Sequence, residues 1–395
     1  MSDTSGGSAE PDVPDGAAKL RLLQLSALTS TCDRFAIAPL LVEIARDLDA
    51  SLVAVAAVAS GYFLAYGLMQ LVWGLLSDRL GRVRVMRIAL GGLALAGLVS
   101  VLAPNLAVLA VSRVVAGGTA AALIPTTLVY VGDTWPVAVR QRPLSDLLAA
   151  SALGTAVATI GAGVVAEFVG WRAVFGLTGA AAVVLWWALR RLPEPDRPEP
   201  GPPLRPLGLV VRRGWAWVVL ALALVEGAVA LGALTYLAPS LQAQGWSPGV
   251  AGLVAAGYGV GALLTSRVVR RLVGRVPSAG LAAVGGAVLA VTWVPTTITV
   301  SLPTVLASGL LLGVAWAFLH TTLQTWATEV VPQARAAAVA LFAAVLFLGS
   351  SVGTALAAPL ADAGAFGTVF TIALAVSVPL AVVAVAARVR YTRIA

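Results

Sequence analysis

The stretch Gly74-Leu75-Leu76-Ser77-Asp78-Arg79-Leu80-Gly81-Arg82-Val83-Arg84 decides the fold of this chain. It places one acid and three arginines between two apolar segments, at residues 52–76 and 87–103. An apolar segment of about 20 residues crosses a bilayer as a helix, whereas clustered charges stay at the membrane surface. The stretch is therefore predicted to be a tight connection between two membrane-spanning helices.

The composition of the whole chain agrees with this interpretation. Of its 395 residues, 59% are hydrophobic and 11% are charged, and the mean hydropathy is +0.93. Soluble domains are about half apolar and about a quarter charged, so a soluble globular enzyme is excluded. The net charge of +8 does not indicate nucleic-acid binding, because the basic residues occupy the short breaks between apolar segments.

The sequence offers little material for metal or enzyme chemistry. Cys32 is the only cysteine and His320 is the only histidine, which is too few for a disulfide framework or a Cys- or His-based metal site. Zinc-binding patterns, nucleophile elbows and phosphate-binding loops are also absent from the sequence. We expect no metal, no cofactor and no enzymatic activity.

Apolar segments between charged or Pro- and Gly-rich breaks predict twelve transmembrane helices. They cover approximately residues 22–44, 52–76, 87–103, 106–131, 144–169, 171–189, 215–241, 248–269, 279–297, 303–329, 336–361 and 366–387. The lysine and the arginines at the ends of these segments and between them fall on one side of the arrangement, and only Arg46 and Arg172 fall on the other. Since cytoplasmic loops collect positive charge, both termini are predicted to be cytoplasmic.

Two polar stretches divide the chain. Residues 1–18 are acidic and rich in Pro and Gly, and they predict a disordered cytoplasmic tail without a signal peptide. Residues 192–214 are rich in Pro and charge, and they predict a cytoplasmic linker between six-helix bundles at 19–191 and 215–395. Echoes near a 200-residue spacing, such as Ala38-Pro39-Leu40-Leu41 and Ala238-Pro239-Ser240-Leu241, indicate a duplicated unit.

The stretch at 74–84 resembles the signature loop of the major facilitator superfamily, and Gly74, Asp78, Arg79, Gly81 and Arg82 carry the match. The resemblance implies an all-α integral membrane fold with twelve transmembrane helices in two pseudo-symmetric six-helix bundles around a central cavity. It also implies that the loop is a gate latch, in which Asp78 faces a helix N-terminus of the other half. An anion at a helix N-terminus is stabilised by about 0.3–1 kcal/mol. Asp133 is the expected partner of Arg79 or Arg82, and a loop that only sets topology is the alternative.

Arg113, followed by Gly117 and Gly118, resembles the intramembrane arginine motif of the family. An arginine within a span needs a partner at similar depth, and Asp33 is the expected one. Asp33 either takes up and releases a coupling proton or forms a static ion pair with Arg113 or Arg34. Arg34 points about 100° away from Asp33 around the helix, which favours a structural or gating role.

Glu226 and His320 are the other two proton-coupling candidates. Glu226 has no basic neighbour in its own helix, and a buried neutral hydrogen bond is its alternative role. Histidine is the side chain whose unperturbed pKa lies nearest physiological pH, and a packing role is the alternative for His320. Trp316, His320 and Gln324 share one helix face. The candidates for lining a substrate cavity are Ser30, Tyr236, Trp316 and Gln324, of which Tyr236 and Trp316 offer a stacking surface.

The chain resembles the twelve-helix drug/proton antiporters of the superfamily. Gly154 and Gly163 match their fifth-helix signature, whereas Ala158, Thr159 and Ala162 depart from it. The resemblance implies proton-coupled efflux of small hydrophobic or cationic compounds, drugs or metabolites, by alternating access across the cell inner membrane. It implies a monomer whose partners are a small-molecule substrate, protons and the lipid bilayer, without nucleic acid. A proton symporter or facilitator for nutrient uptake is the alternative, and a transporter-like sensor is less favoured because the tails are short.

Overall fold

The computed structural model describes residues 16–196 and 205–394. Within these residues, twelve helices are long and apolar enough to cross a membrane. Labelled α1 to α12 in chain order, they are Gly16–Asp47, Leu52–Leu80, Arg82–Val101, Leu106–Thr134, Gln141–Val169, Trp171–Arg191, Gly214–Gln242, Pro248–Leu272, Ser278–Ile298, Leu302–Val330, Pro332–Asp362 and Phe366–Ile394. The predicted all-α membrane fold with twelve spans is confirmed.

The charged stretch at 74–84 is mostly helical, which the sequence analysis did not expect. α2 continues to Leu80 and α3 begins at Arg82, so Gly81 alone separates them. Gly81 has a φ of 105°, a conformation that glycine adopts at little cost. A Cβ at this position would lie 2.6 Å from the Glu194 carboxylate. The predicted tight connection is therefore a single glycine, and it needs a residue without a side chain.

The predicted tail and linker differ from the structure at their edges. Residues 1–15 and 197–204 lie outside the described residues, but residues 16–18 already belong to α1 and residues 205–211 form a short helix. The start of the linker folds back on the bundle. The Tyr130 hydroxyl donates to the Pro193 carbonyl at 3.0 Å, and the Glu194 carboxylate accepts the backbone N–H groups of Val83 and Arg84 at 3.2 Å. Glu194 therefore caps the N-terminus of α3.

We call residues 16–196 the N-half and residues 205–394 the C-half. The halves pack through α2 against α11 and through α5 against α8. Small residues allow the close approach: a Cβ at Gly67 of α2 would lie 2.8 Å from the Ala344 carbonyl oxygen of α11, and Gly163 of α5 packs on Pro248 of α8. The Ser351 hydroxyl of α11 also donates to the Ser60 carbonyl of α2 at 2.8 Å. Two equivalent helix pairs thus form the interface between the halves.

An even number of spans brings both ends of the described chain to one face, which we call the terminal face. The opposite face, the distal face, carries the connections at residues 48–51, 102–105, 170, 243–247, 299–301 and 363–365. Hydrogen bonds join the halves at the distal face. The Gln242 amide donates to the Pro39 carbonyl at 2.7 Å, and carboxylates of Glu167 and Asp362 bind the opposite half. The structure is therefore closed at its distal face.

Candidate transport site

Asp33 of α1 and Arg113 of α4 form a buried ion pair in the N-half. Arg113 donates from Nη1 to Oδ1 at 3.0 Å and from Nη2 to Oδ2 at 3.5 Å. The Thr178 hydroxyl donates to the same carboxylate at 3.3 Å, and the Phe175 ring centroid lies 4.2 Å from the guanidinium carbon. The structure thus brings together the two residues that the sequence analysis paired, with a hydrogen bond and a cation–π contact added.

Arg34 does not join this ion pair, so its assignment to an intramembrane ion pair is wrong for the described residues. Its Nη1 donates to the Tyr66 hydroxyl at 3.0 Å. Its guanidinium carbon lies 5.3 Å from the ring centroid of Phe347 in the C-half. The reason is the helical turn between neighbouring residues, which directs Arg34 away from Asp33. Arg34 instead lies at the interface between the halves.

Glu226 of α7 and His320 of α10 form the buried polar contact of the C-half. His320 Nδ1 and Glu226 Oε2 lie 3.2 Å apart, and the His320 ring stacks on Trp316 with centroids 3.8 Å apart and planes 12° apart. Glu226 is fully buried, whereas 12% of the His320 side chain is exposed. Both partners of this pair are titratable, in contrast to Arg113, which stays charged.

Both partners lie at π-helical segments that the sequence analysis did not predict. The segment Gly227–Gly232 follows Glu226 in α7, and the segment Trp316–His320 ends at His320 in α10. Such segments occur frequently at functional sites. Gly227 and Gly232, which bound the first segment, are its only weak signal in the sequence. Gly227 packs directly on the Leu346 carbonyl of α11.

Aromatic rings extend from the Glu226–His320 pair to the interface between the halves. Trp316 contacts Tyr258 with centroids 6.1 Å apart, and Tyr258 contacts Phe35 of the N-half at 6.2 Å. On the other side of the pair, Phe342 lies 5.4 Å from the His320 ring. Sequence reasoning missed Tyr258 and Phe35, because a single aromatic residue in an apolar helix does not show which way its ring points.

Two predicted cavity residues do not line the site. Tyr236 is fully buried, and its hydroxyl donates to the Thr354 carbonyl at 2.5 Å. Ser30 is also fully buried, and its hydroxyl donates to the Ala120 carbonyl at 3.0 Å. These hydroxyls are used in helix packing in this conformation, and a cavity role for either residue stays a prediction. Gln324, one turn beyond His320, is partly exposed and stays a candidate.

Arg82 is the centre of the gate-latch motif. It donates from Nη1 to Asp78 at 2.6 Å and from Nε to Asp133 at 3.0 Å, so Asp133 pairs with Arg82, one of its two expected partners. Gly74 and Arg79 lie on α2. The Asp78 side chain is 60% exposed and binds within its own half. Among the described residues it does not make its expected contact with a helix N-terminus of the other half, and the structure is closed at the opposite face.

The two buried polar pairs lie at different depths. By the repeat at 200-residue spacing, position 233 of the C-half corresponds to Asp33, and Glu226 lies seven residues before it. At 1.5 Å per residue, Glu226 is about 10 Å nearer the terminal face than the position equivalent to Asp33. The Glu226–His320 pair therefore lies nearer the terminal face, which the distal contacts do not close.

Comparison with known proteins agrees with this architecture. The family model described as Major Facilitator Superfamily matches residues 23–333 and 228–393. A solved structure of a bacterial homologue of the human lysosomal transporter Spinster, in an inward-facing and unoccupied conformation, aligns with a TM-score of 0.80 and 18% identity over 97% of this chain and 98% of that chain. This likeness concerns the fold.

Curated relatives align over shorter regions. A triacylglyceride transporter of Mycolicibacterium hassiacum is 33% identical over 164 residues, which are 40% of this chain and 31% of the relative. The multidrug efflux pump LfrA of Mycolicibacterium smegmatis is 30% identical over 186 residues, 46% of this chain and 37% of the pump. The chain therefore spans about a third of the length of these curated relatives.

Proposed function

The chain belongs to the Major Facilitator Superfamily, and from this premise we propose that it exports small hydrophobic or cationic compounds in exchange for protons, by alternating access. Membership makes it a multi-pass membrane transporter and not an enzyme. The proposal adds the coupling ion, the direction and the substrate class. The observation that carries it is the Glu226–His320 pair.

A coupling proton needs a site that gains and loses charge during the cycle. In the Asp33–Arg113 pair, protonating Asp33 would strand a buried arginine without its counter-charge, which is costly. In the Glu226–His320 pair, one added proton leaves either a neutral acid beside a neutral imidazole or a matched ion pair. Glu226 and His320 are therefore better suited than Asp33 to carry the proton, and Asp33 is better suited to a static role.

The surroundings of the pair also support proton exchange. The exposed edge of His320 gives the buried carboxylate of Glu226 a titratable neighbour in contact with the space outside the core. One proton that moves down 100 mV releases about 2.3 kcal/mol, enough for a useful concentration ratio of an uncharged substrate.

The substrate class is supported by the rings around the pair. Trp316, Tyr258 and Phe35 present a contiguous aromatic surface that spans both halves. Such a surface binds apolar groups through burial and cations through their attraction to the ring faces. The names of two relatives, a multidrug efflux pump and a triacylglyceride transporter, support export and an apolar cargo.

The test measures accumulation of Nile red and ethidium in an efflux-deficient bacterium, with and without a protonophore. We expect the wild type to exclude at least one dye only in energised cells, and Glu226→Gln and His320→Gln to lose this exclusion. In proteoliposomes, Glu226→Gln is expected to retain dye exchange at equal pH while losing transport driven by a pH gradient, because glutamine cannot release a proton.

The matched control is Asp47→Asn, which removes an acid that pairs with the partly exposed Arg172 outside the site. It is expected to export like the wild type. Protonophore-insensitive exclusion, or full pH-driven transport by Glu226→Gln, contradicts the proposal. Proton-driven accumulation of a dye inside the cells would favour the alternative, a proton symporter.

A further inference from the structure

On the distal face, each of two acids binds the N-terminus of a helix from the other half. Asp362, the last residue of α11, accepts the backbone N–H of Leu52, the first residue of α2, at 2.7 Å. Glu167, near the end of α5, accepts the backbone N–H of Gly249 in the first turn of α8 at 3.0 Å. The same Glu167 oxygen accepts the hydroxyl of Ser247, the N-cap of α8, at 2.7 Å. Both contacts cross between the N-half and the C-half.

The two contacts are equivalent in the internal duplication. Glu167 and Asp362 stand 195 residues apart in the sequence, and the caps Ser51 and Ser247 stand 196 residues apart. Ser51 and Ser247 each accept the backbone N–H of the third residue after them, so α2 and α8 begin in the same way. An acid at the end of the fifth helix of each half binds the start of the second helix of the other half.

The chemistry of the contact suits a bond that forms and breaks. The first N–H groups of a helix have no partner within the helix, and the helix dipole places positive charge there. A carboxylate is therefore attracted to the site, but the contact is a surface one, and water competes for both groups. A cavity of about 280 Å³ beside Asp362, lined in part by Val42, Arg46 and Phe366, leaves room for its carboxylate to move away.

We propose that Glu167 and Asp362 are paired positioning residues for the transport cycle, two carboxylate latches that hold the distal face closed while the terminal face is open. Each latch joins a helix of one half to a helix of the other, so both must release before the halves separate at this face. The inference goes beyond the proposed function, because it involves neither the substrate nor the coupling proton.

The test measures the distance between the halves directly. Spin labels are attached at Leu102→Cys and Ile298→Cys in a Cys32→Ala background, in lipid nanodiscs without substrate. Leu102 and Ile298 are 68% and 77% exposed at the distal ends of α3 and α9, one in each half. Double electron–electron resonance then reports the populations of the closed and open distal face.

Glu167→Gln and Asp362→Asn keep a hydrogen-bonding oxygen and remove the charge. We expect each to raise the ratio of open to closed distal face about threefold, and the double variant about tenfold, since the two sites are separate. Asp362→Glu, which keeps the charge, is expected to stay close to the wild-type ratio. The matched control is Asp47→Asn, because Asp47 lies on the same face but binds Arg172 and Trp171 within its own half.

A wild-type distance distribution in the double variant would overturn the proposal. So would an equal shift in Asp47→Asn, which would indicate a general effect of surface charge. Should the double variant fail to fold, the two single variants decide by the same criterion. Because the measurement uses no substrate and no proton gradient, its failure is distinguishable from failure of the proposed export.

Discussion

Asp33 and Arg113 are two fully buried opposite charges in direct contact. Removing two charges from water is expensive, and their mutual attraction offsets this cost only while both are present. The Glu226–His320 pair differs from it, because a carboxyl group and an imidazole can both be neutral, whereas a guanidinium cannot. At the scale of residues, the proposed function therefore gives the Asp33–Arg113 pair a static role and the Glu226–His320 pair the coupling role.

This division predicts a non-additive mutant cycle. Arg113→Leu is expected to lower the free energy of unfolding by about 3–5 kcal/mol, because it leaves the Asp33 carboxylate buried without a counter-charge. The double variant Asp33→Leu with Arg113→Leu is expected to recover most of this loss. Thermal melting of purified protein in detergent measures both.

The control for this cycle is Arg172→Leu, which breaks a partly exposed ion pair with Asp47 and is expected to cost about 1 kcal/mol or less. A double variant as unstable as Arg113→Leu alone would show that the ion pair is not the source of the loss.

Two helix connections, at Gly81 and Gly170, turn on a single glycine in nearly the same conformation, with φ of 105° and 104°. At Gly170 a Cβ would meet nothing within 4 Å, whereas at Gly81 it would meet the Glu194 carboxylate that caps α3. At the scale of elements, the α2–α3 connection needs glycine for two reasons, the positive φ and the lack of space for a Cβ. The α5–α6 connection needs glycine only for its positive φ.

Alanine substitution at these two glycines separates the two requirements. Gly170→Ala is expected to destabilise the protein by about 1–3 kcal/mol through backbone strain alone. Gly81→Ala is expected to cost about 1 kcal/mol more, because it also displaces Glu194 from the N-terminus of α3. Thermal melting in the same detergent checks the difference, and equal melting temperatures would argue against a stabilising role for the Glu194 cap.

The basic residues are concentrated on the connections of the terminal face, which precede α3, α5, α7, α9 and α11, and few lie on the connections of the distal face. Cytoplasmic loops of membrane proteins collect Lys and Arg. From this distribution we propose that the terminal face is towards the cytoplasm and the closed distal face is away from it.

Reporter fusions check this orientation. Green fluorescent protein fused to either terminus is expected to fluoresce, because it folds in the cytoplasm, and alkaline phosphatase fused after Ala363 in a distal connection is expected to be active, because it folds outside. Phosphatase activity in a fusion at the C-terminus would contradict the charge argument.

The sequence by itself determined the number of spans and the all-α fold. Segment length and hydropathy are local properties, and they decide whether a segment crosses a bilayer as a helix. It also determined the pairing of Asp33 with Arg113, since a buried arginine requires an acid at its own depth. Helix ends were less predictable: the charged stretch at 74–84 extends two helices, and one glycine is enough to separate them.

Only the tertiary structure decided which side chains meet. Glu226 and His320 are 94 residues apart on different helices, and the π-helical segments beside them change the direction in which they point. The same dependence on helix rotation buried Tyr236 and turned Arg34 towards the C-half. The distal latches likewise depend on how the two halves pack, since each joins residues from opposite halves. Hydropathy sets the depth of a residue, but helix rotation and packing set its partner.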